Sequence, residues 1–201
     1  MSDFELCISS GGVALFPADT VYGLACDPTS PSAVARLYEL KGRPADKPAA
    51  VMFFALEPAL AALPELGPRL RGALGALLPG GVTLVLPNPL ARYPLACAQD
   101  PWTLGLRVPA AGVLRDVAVP VLQSSANRSG GADPRSLADV DPILRDGVDL
   151  VVDGGPLPGT PSTVVDLRGY EGDGSWSLLR AGAVAPGALQ AALGEVPRAQ
   201  S

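Results

Sequence analysis

Residues 17–28 read Pro-Ala-Asp-Thr-Val-Tyr-Gly-Leu-Ala-Cys-Asp-Pro, and residues 39–48 read Glu-Leu-Lys-Gly-Arg-Pro-Ala-Asp-Lys-Pro. The segment between them has the chemistry of a helix. Ser30 is a good N-cap, Pro31 suits the first helical position, and Ala33, Leu37 and Leu40 fall on one face. Gly42, Pro44 and Pro48 then end the helix and stiffen the loop that follows. That loop carries Lys41, Arg43 and Lys47. Cations on a constrained loop behind a helix suit an anion such as a phosphate or carboxylate. Taken alone, the stretch reads more readily as a solvated basic loop, and the rest of the chain decides otherwise.

Outward from this stretch, strands and helices alternate. Residues 13–16 are an apolar strand feeding 17–28 as a first loop, and residues 50–55 are a second buried strand. Residues 57–63 predict a short helix. Leu66, Leu70, Leu74 and Leu77 make residues 65–78 an amphipathic helix, stopped by Pro79-Gly80-Gly81 before a strand at 82–86. Residues 104–108 alternate, which puts Arg107 on the non-core face of a half-buried strand. Further helices are expected at 111–117, from the Ser136 cap through 144, and at 186–193. Strands are expected at 120–123, 150–152, 162–167 and 178–179. This is an α/β chain with a mixed, strongly twisted sheet, and open α/β sheets bind ligands at strand ends. No repeat or long linker divides it, so residues 1–201 are read as one domain with a core from about 10 to 194.

Composition narrows the chemistry. Hydrophobic residues make up 48% and charged residues 17% of 201, as in a globular protein. The longest uncharged apolar run, 49–56, is too short to cross a bilayer, and the first five residues carry acids but no Lys or Arg. A cytoplasmic protein without a membrane partner is expected. Cys7, Cys26 and Cys97 are widely spaced and read as thiols rather than disulfides or zinc ligands. There is no histidine, which excludes Ser-His and Cys-His nucleophiles and His-ligated metals. A net charge of −5 gives no global attraction to nucleic acid.

Residues 19–23, 124–130, 159–163 and 180–182 place small hydroxyls, Gly or Pro after apolar runs. Such turns offer hydroxyls and backbone N–H groups to phosphate or carboxylate oxygens, or are ordinary caps. Arg43, Arg107 and Arg180 could add charge-assisted contacts. Neither a Walker loop nor a GxGxxG fingerprint is present.

Together these stretches resemble the YrdC-like family of L-threonylcarbamoyladenylate synthases in its short, single-domain form. The resemblance rests on 17–28, 39–48, 77–87 (LLPGGVTLVLP), 104–109 (LGLRVP), 124–131 (SSANRSGG), 161–167 (PSTVVDL) and 178–184 (LLRAGAV). It implies a YrdC-like fold: a twisted, mixed, open sheet flanked by helices, with a concave ligand cleft. It also implies formation of threonylcarbamoyl-AMP and pyrophosphate from L-threonine, bicarbonate and ATP. Transferase proteins would then pass the threonylcarbamoyl group to the tRNA adenosine beside the anticodon.

By matching positions, Lys41 and Arg43 are the implied catalytic pair, with Lys41 close to the reacting phosphates. Arg43, Lys47, Thr103, Ser125, Asn127 and Arg180 would face ATP. Thr20, Arg107 and Ser162 would hold L-threonine, Arg107 through its carboxylate. No protein-held metal site is implied, and Mg²⁺ would arrive with ATP. The chain departs from the family at Ala18, usually Thr, and at Met52, where some longer relatives have a His that contacts threonine. Because the sequence stops soon after Val184, the extra C-terminal domain of those relatives is not expected here. Two rival readings remain: a YrdC-like protein binding RNA or ribosomes weakly through a local basic face, without turnover, and a carbamoyl-adenylate reaction with another acceptor.

Overall fold

A computed structural model describes residues 1–110, 112–114 and 116–194. Its centre is one sheet of nine strands: β1 (Ala14–Pro17), β2 (Tyr22–Cys26), β3 (Ala50–Met52), β4 (Val82–Pro87), β5 (Thr103–Arg107), β6 (Val121–Ser125), β7 (Leu150–Val151), β8 (Thr163–Asp166) and β9 (Ser177–Arg180). Their order is β7-β1-β2-β6-β3-β5-β4-β8-β9. The β1–β7, β3–β5 and β4–β8 pairs are parallel and the others antiparallel. The mixed sheet expected from the sequence is therefore present.

Side chains along a strand alternate between faces, and here the two faces have different fates. Leu24, Val51, Leu84, Leu86, Leu104, Leu106, Leu122 and Val165 join one apolar core. The helices covering it are α2 (Pro31–Lys41), α3 (Leu56–Ala62), α4 (Pro68–Leu77), α5 (Pro142–Gly147) and α7 (Pro186–Leu193). Helix α2 begins and ends as its sequence predicts. Ser30 accepts from the Ala33 N–H, Pro31 occupies the first turn, and Gly42 closes it at φ 58°.

The opposite face is only partly covered. Helix α1 (Asp3–Ser9) lays Phe4 and Ile8 against Phe16, Met52 and Phe54. Phe4, Phe16 and Phe54 pack edge to face, with ring centroids 5.5 to 6.4 Å apart. Beyond this patch the face carries Thr83, Val85, Thr103, Gly105, Arg107, Gln123 and Ser125, and it lines an open cleft.

Several expectations are corrected. Helix α1 is additional to them, and its buried Phe4 and Ile8 carry the packed body to the N-terminal side of residue 10. Its signal was the Ser2-to-Glu5 capping box, which the structure forms in both directions. Part of the expected first loop is strand β2, every residue of which is buried. The helix expected from Ser136 to 144 is broken in two, a 3₁₀ turn at Leu137–Asp139 and then α5, because Pro142 must begin a helix of its own. The helix expected at 111–117 is also absent among the described residues. Residues 113, 114 and 116 lie in turns and 112 and 117 have no regular structure, while 111 and 115 lie outside the described residues. The strand at 50–55 ends at Met52. A short helix α6 (Tyr170–Asp173), not expected from the sequence, lies between β8 and β9. Among the described residues no helix is long and apolar enough to cross a membrane.

Gly182 shows why the turn after β9 is written Arg-Ala-Gly. A Cβ there would fall onto the Pro161 carbonyl and 2.6 Å from both the Ser162 carbonyl carbon and the Thr163 nitrogen. All are backbone atoms, so the clash has no cheap relief. Gly182→Ala should cost about 1–3 kcal/mol of stability, read by chemical denaturation.

Candidate functional site

The cleft has a volume of about 350 Å³. Strand alternation supplies its floor, and the loop after α2, the turn after β6 and the segments flanking β8 and β9 supply its walls. Of the residues singled out in the sequence, Arg43, Thr103, Arg107, Ser125, Ser162 and Arg180 line it. Thr20 and Asn127 stand one contact behind. Thr20 Oγ1 lies 3.4 Å from Arg107 Nη2, and Ser125 Oγ donates to Asn127 Oδ1 at 2.6 Å. Lys47 is exposed and is not among the lining residues.

Arg43 belongs to a braced loop. Its Nη2 donates to the Pro48 carbonyl at 2.6 Å, and its guanidinium carbon lies 5.7 Å from the centre of the Tyr38 ring. Tyr38 donates its hydroxyl to the Lys47 carbonyl at 2.8 Å. The loop is thus tied back onto α2 at both ends. On the far wall, Arg180 donates to the Ser162 carbonyl (2.7 Å) and hydroxyl (3.2 Å), and Ser162 Oγ lies 2.8 Å from Thr83 Oγ1. Each of these arginines spends some donors on the scaffold and keeps others for a ligand.

Lys41 is placed differently from the expectation. Its side chain is 2% exposed, and its ammonium donates to the Ser125 carbonyl, the Asn127 carbonyl (2.7 Å) and Asn127 Oδ1 (3.3 Å). The Lys41 carbonyl in turn accepts from the Ser129 N–H at 2.9 Å. This lysine joins the end of α2 to the Ser-x-Asn turn and does not project into the open cleft. Burial is the main force pushing its pKa down to about 8, with help from Arg43 and against the pull of Asp133.

Arg107 lies on the face opposite the main core, as expected, but it is 4% exposed rather than half-buried. Asp19, Thr20 and Gln123 surround it, and Asp19 forms a 2.6 Å ion pair with it. Sequence reasoning missed Asp19 and Gln123. A signal was available for each: an acid beside the assigned Thr20, and an amide in an otherwise apolar strand. Asp100 and Asp133 also line the cleft. Met52 pairs with Arg107 in the β3–β5 register yet is fully buried in the aromatic patch. Cys26 and Cys97 are buried, Cys7 is half-buried, and all are free thiols.

Because the folded protein holds Lys41 with a lowered pKa, the unfolded chain binds its proton more tightly, and stability should rise as pH climbs from about 8 towards the ordinary lysine value. Denaturation from pH 7 to 10 should show wild type gaining stability relative to Lys41→Met over that window. Parallel curves would mean that Lys41 does not titrate there.

A family model for Sua5, YciO and YrdC proteins, described as "Telomere recombination", matches residues 7–182. The chain is 33% identical over 193 residues to the threonylcarbamoyl-AMP synthase of Bacillus subtilis, covering 92% of this chain and 54% of that protein. It is 35% identical over 153 residues to the enzyme of that name from Xanthomonas campestris, covering 73% and 81% respectively. The solved structure of P. abyssi Sua5 complexed with L-threonine superposes with a TM-score of 0.82 at 28% identity, over 96% of this chain and 57% of that one. The chain thus spans little more than half the length of the Bacillus and Pyrococcus proteins. With nearly the whole described body matched in sequence pattern and in shape, the chain belongs to the Sua5/YciO/YrdC family.

Proposed function

We propose that this chain is a threonylcarbamoyl-AMP synthase. The observation that carries the reading is the gathering of Arg43, Arg107 and Arg180 around one cleft in a chain without histidine. The names of its relatives and the threonine-bound Pyrococcus structure support the choice of amino acid.

In this reading the amine of L-threonine and bicarbonate give threonine carbamate with loss of water. A carbamate oxygen then bonds to the α-phosphorus of ATP. Pyrophosphate departs with the electron pair of the bond that breaks. The nucleophile is already an anion, so no protein nucleophile or histidine base is needed. The protein must instead hold two anions in line and offset the charge that accumulates on phosphate oxygen. Arg43 and Arg180, on opposite walls, take the phosphates, with Thr103, Ser125 and Asn127 on the nucleotide. Lys47 meets the phosphates from the rim. Lys41 contributes by fixing the Ser125–Asn127 turn. Arg107, with Thr20 and Ser162, takes the threonine carboxylate. Mg²⁺ enters with ATP as part of that substrate, and the product goes to tRNA-modifying transferases.

Pyrophosphate release from ATP should require both L-threonine and bicarbonate and should yield a labile AMP adduct, separable by chromatography. ATP binding without turnover, together with salt-sensitive RNA affinity, would replace this reading with an RNA-binding one. Arg180→Ala should raise the ATP KM about tenfold or more, the cost of losing a charge-assisted contact, with the fold intact. Arg107→Ala should raise the L-threonine KM by a similar factor and leave that of ATP nearly unchanged. The reverse pattern would exchange the two subsites.

A further inference from the structure

Arg107 is a cation enclosed by protein, and its guanidinium is gripped from three sides. Nη2 donates to Asp19 Oδ1 at 2.6 Å and to Thr20 Oγ1 at 3.4 Å, and Nη1 donates to Gln123 Oε1 at 3.3 Å. Asp19 is itself fixed, because its second oxygen accepts from the Ala110 N–H at 3.0 Å. The side chains of the pair are only 4% and 7% exposed. The remaining nitrogen, Arg107 Nε, is buried without a hydrogen-bond partner. A buried N–H without an acceptor is costly, so it marks a place where an acceptor belongs. Arg107 also lines the cleft, where an anion can meet its guanidinium.

Electrostatics explain why the grip is needed. Burial disfavours the charged guanidinium, Asp19 offsets that cost, and the like charge of Arg180 adds to the burden. Without Asp19 the Arg107 fork would lose its charge partner and its shortest contact, keeping the longer ones to Thr20 and Gln123.

We propose that Asp19 is a positioning residue of the amino-acid subsite, holding the Arg107 guanidinium so that it receives a substrate carboxylate from the cleft while the Asp19–Arg107 pair stays closed. The inference rests on the threonine reading above. It opposes a simple alternative in which Asp19 competes with the substrate for Arg107 and must be displaced, and the two differ in sign.

The test is calorimetric titration of L-threonine into wild type and Asp19→Asn, with the ATP KM measured alongside. In the variant, an NH₂ group replaces one oxygen and meets either the Ala110 N–H or the Arg107 fork, donor against donor. L-threonine affinity should fall tenfold or more, while the ATP KM stays within twofold. Unchanged or tighter threonine binding overturns the proposal, and tighter binding identifies Asp19 as a competitor. If Asp19→Asn does not fold, Asp19→Asn/Gln123→Glu takes its place, since it returns a carboxylate to the guanidinium from the Nη1 side. That pair should restore the fold yet still bind L-threonine at least tenfold more weakly, because the fork is re-aimed. Wild-type affinity in the pair would reduce Asp19 to a charge-balancing structural residue. Wild type that binds no L-threonine defeats the threonine reading itself, and this inference with it.

Discussion

A strand can present only every second residue to a given face, and this limit organises the whole molecule. On one face of the sheet, Leu84, Leu86, Leu104 and Leu106 seal against helices. Their neighbours Thr83, Val85, Thr103, Gly105 and Arg107 then have to line the other face. Among the described residues, the end near β1 closes that second face, using a compact group of Phe side chains beneath α1. The remainder becomes the cleft. The site and the core are therefore two readings of the same strands, and a one-residue slip in β4 or β5 would exchange them.

Placing cations on a buried face creates a second requirement, because a charge taken from water needs a partner. The structure answers it in two ways. Arg107 is matched by a carboxylate, which also draws in the Ala110 segment. Lys41 is matched by carbonyls and an amide oxygen, with Asp133 acting on it through space. Arg43 and Arg180 lie nearer solvent and are anchored through part of their donors. The cations that suggested one anion site in the sequence thus divide into scaffold and contact groups. Lys41 spends its donors on the scaffold, whereas Arg43 and Arg180 retain some for the cleft.

The sequence disclosed most where local chemistry and tertiary structure agree. Ser30, Pro31 and Gly42 mark the limits of α2, and Pro186 and Leu193 are the first and last residues of the final helix. It disclosed least where packing overrides local pattern. β2 is buried on both faces and so lacks alternation, and Gly23 looks like a turn residue. Its real role is steric, since a Cβ there would come within 2.8 Å of Gln123 Nε2 and 3.2 Å of the Phe16 ring. In the site, the cationic and hydroxyl residues were legible because their chemistry is unusual for their surroundings. Asp19 was not, because an acid beside Thr20 in a loop that opens with Pro17 also fits an ordinary turn. Its importance comes from Arg107, 88 positions away in the chain.

The strand order also bears on how the molecule comes into being. β4 and β5 lie at the centre of one half of the sheet, but β8 and β9, which bring Ser162 and Arg180 to the cleft, are made after residue 160. At the far edge, β7 pairs with β1 across more than 130 residues of chain. Such long loops must close before their contacts repay the entropy lost, which slows folding to roughly the millisecond-to-second range. A ribosome-bound chain that has extended only as far as β6 holds one wall of the cleft and lacks the other. The finished cleft therefore waits on strands made after residue 160, and the half-built sheet, with β4 still an open edge, is the stage at which pairing with a neighbouring chain is most dangerous.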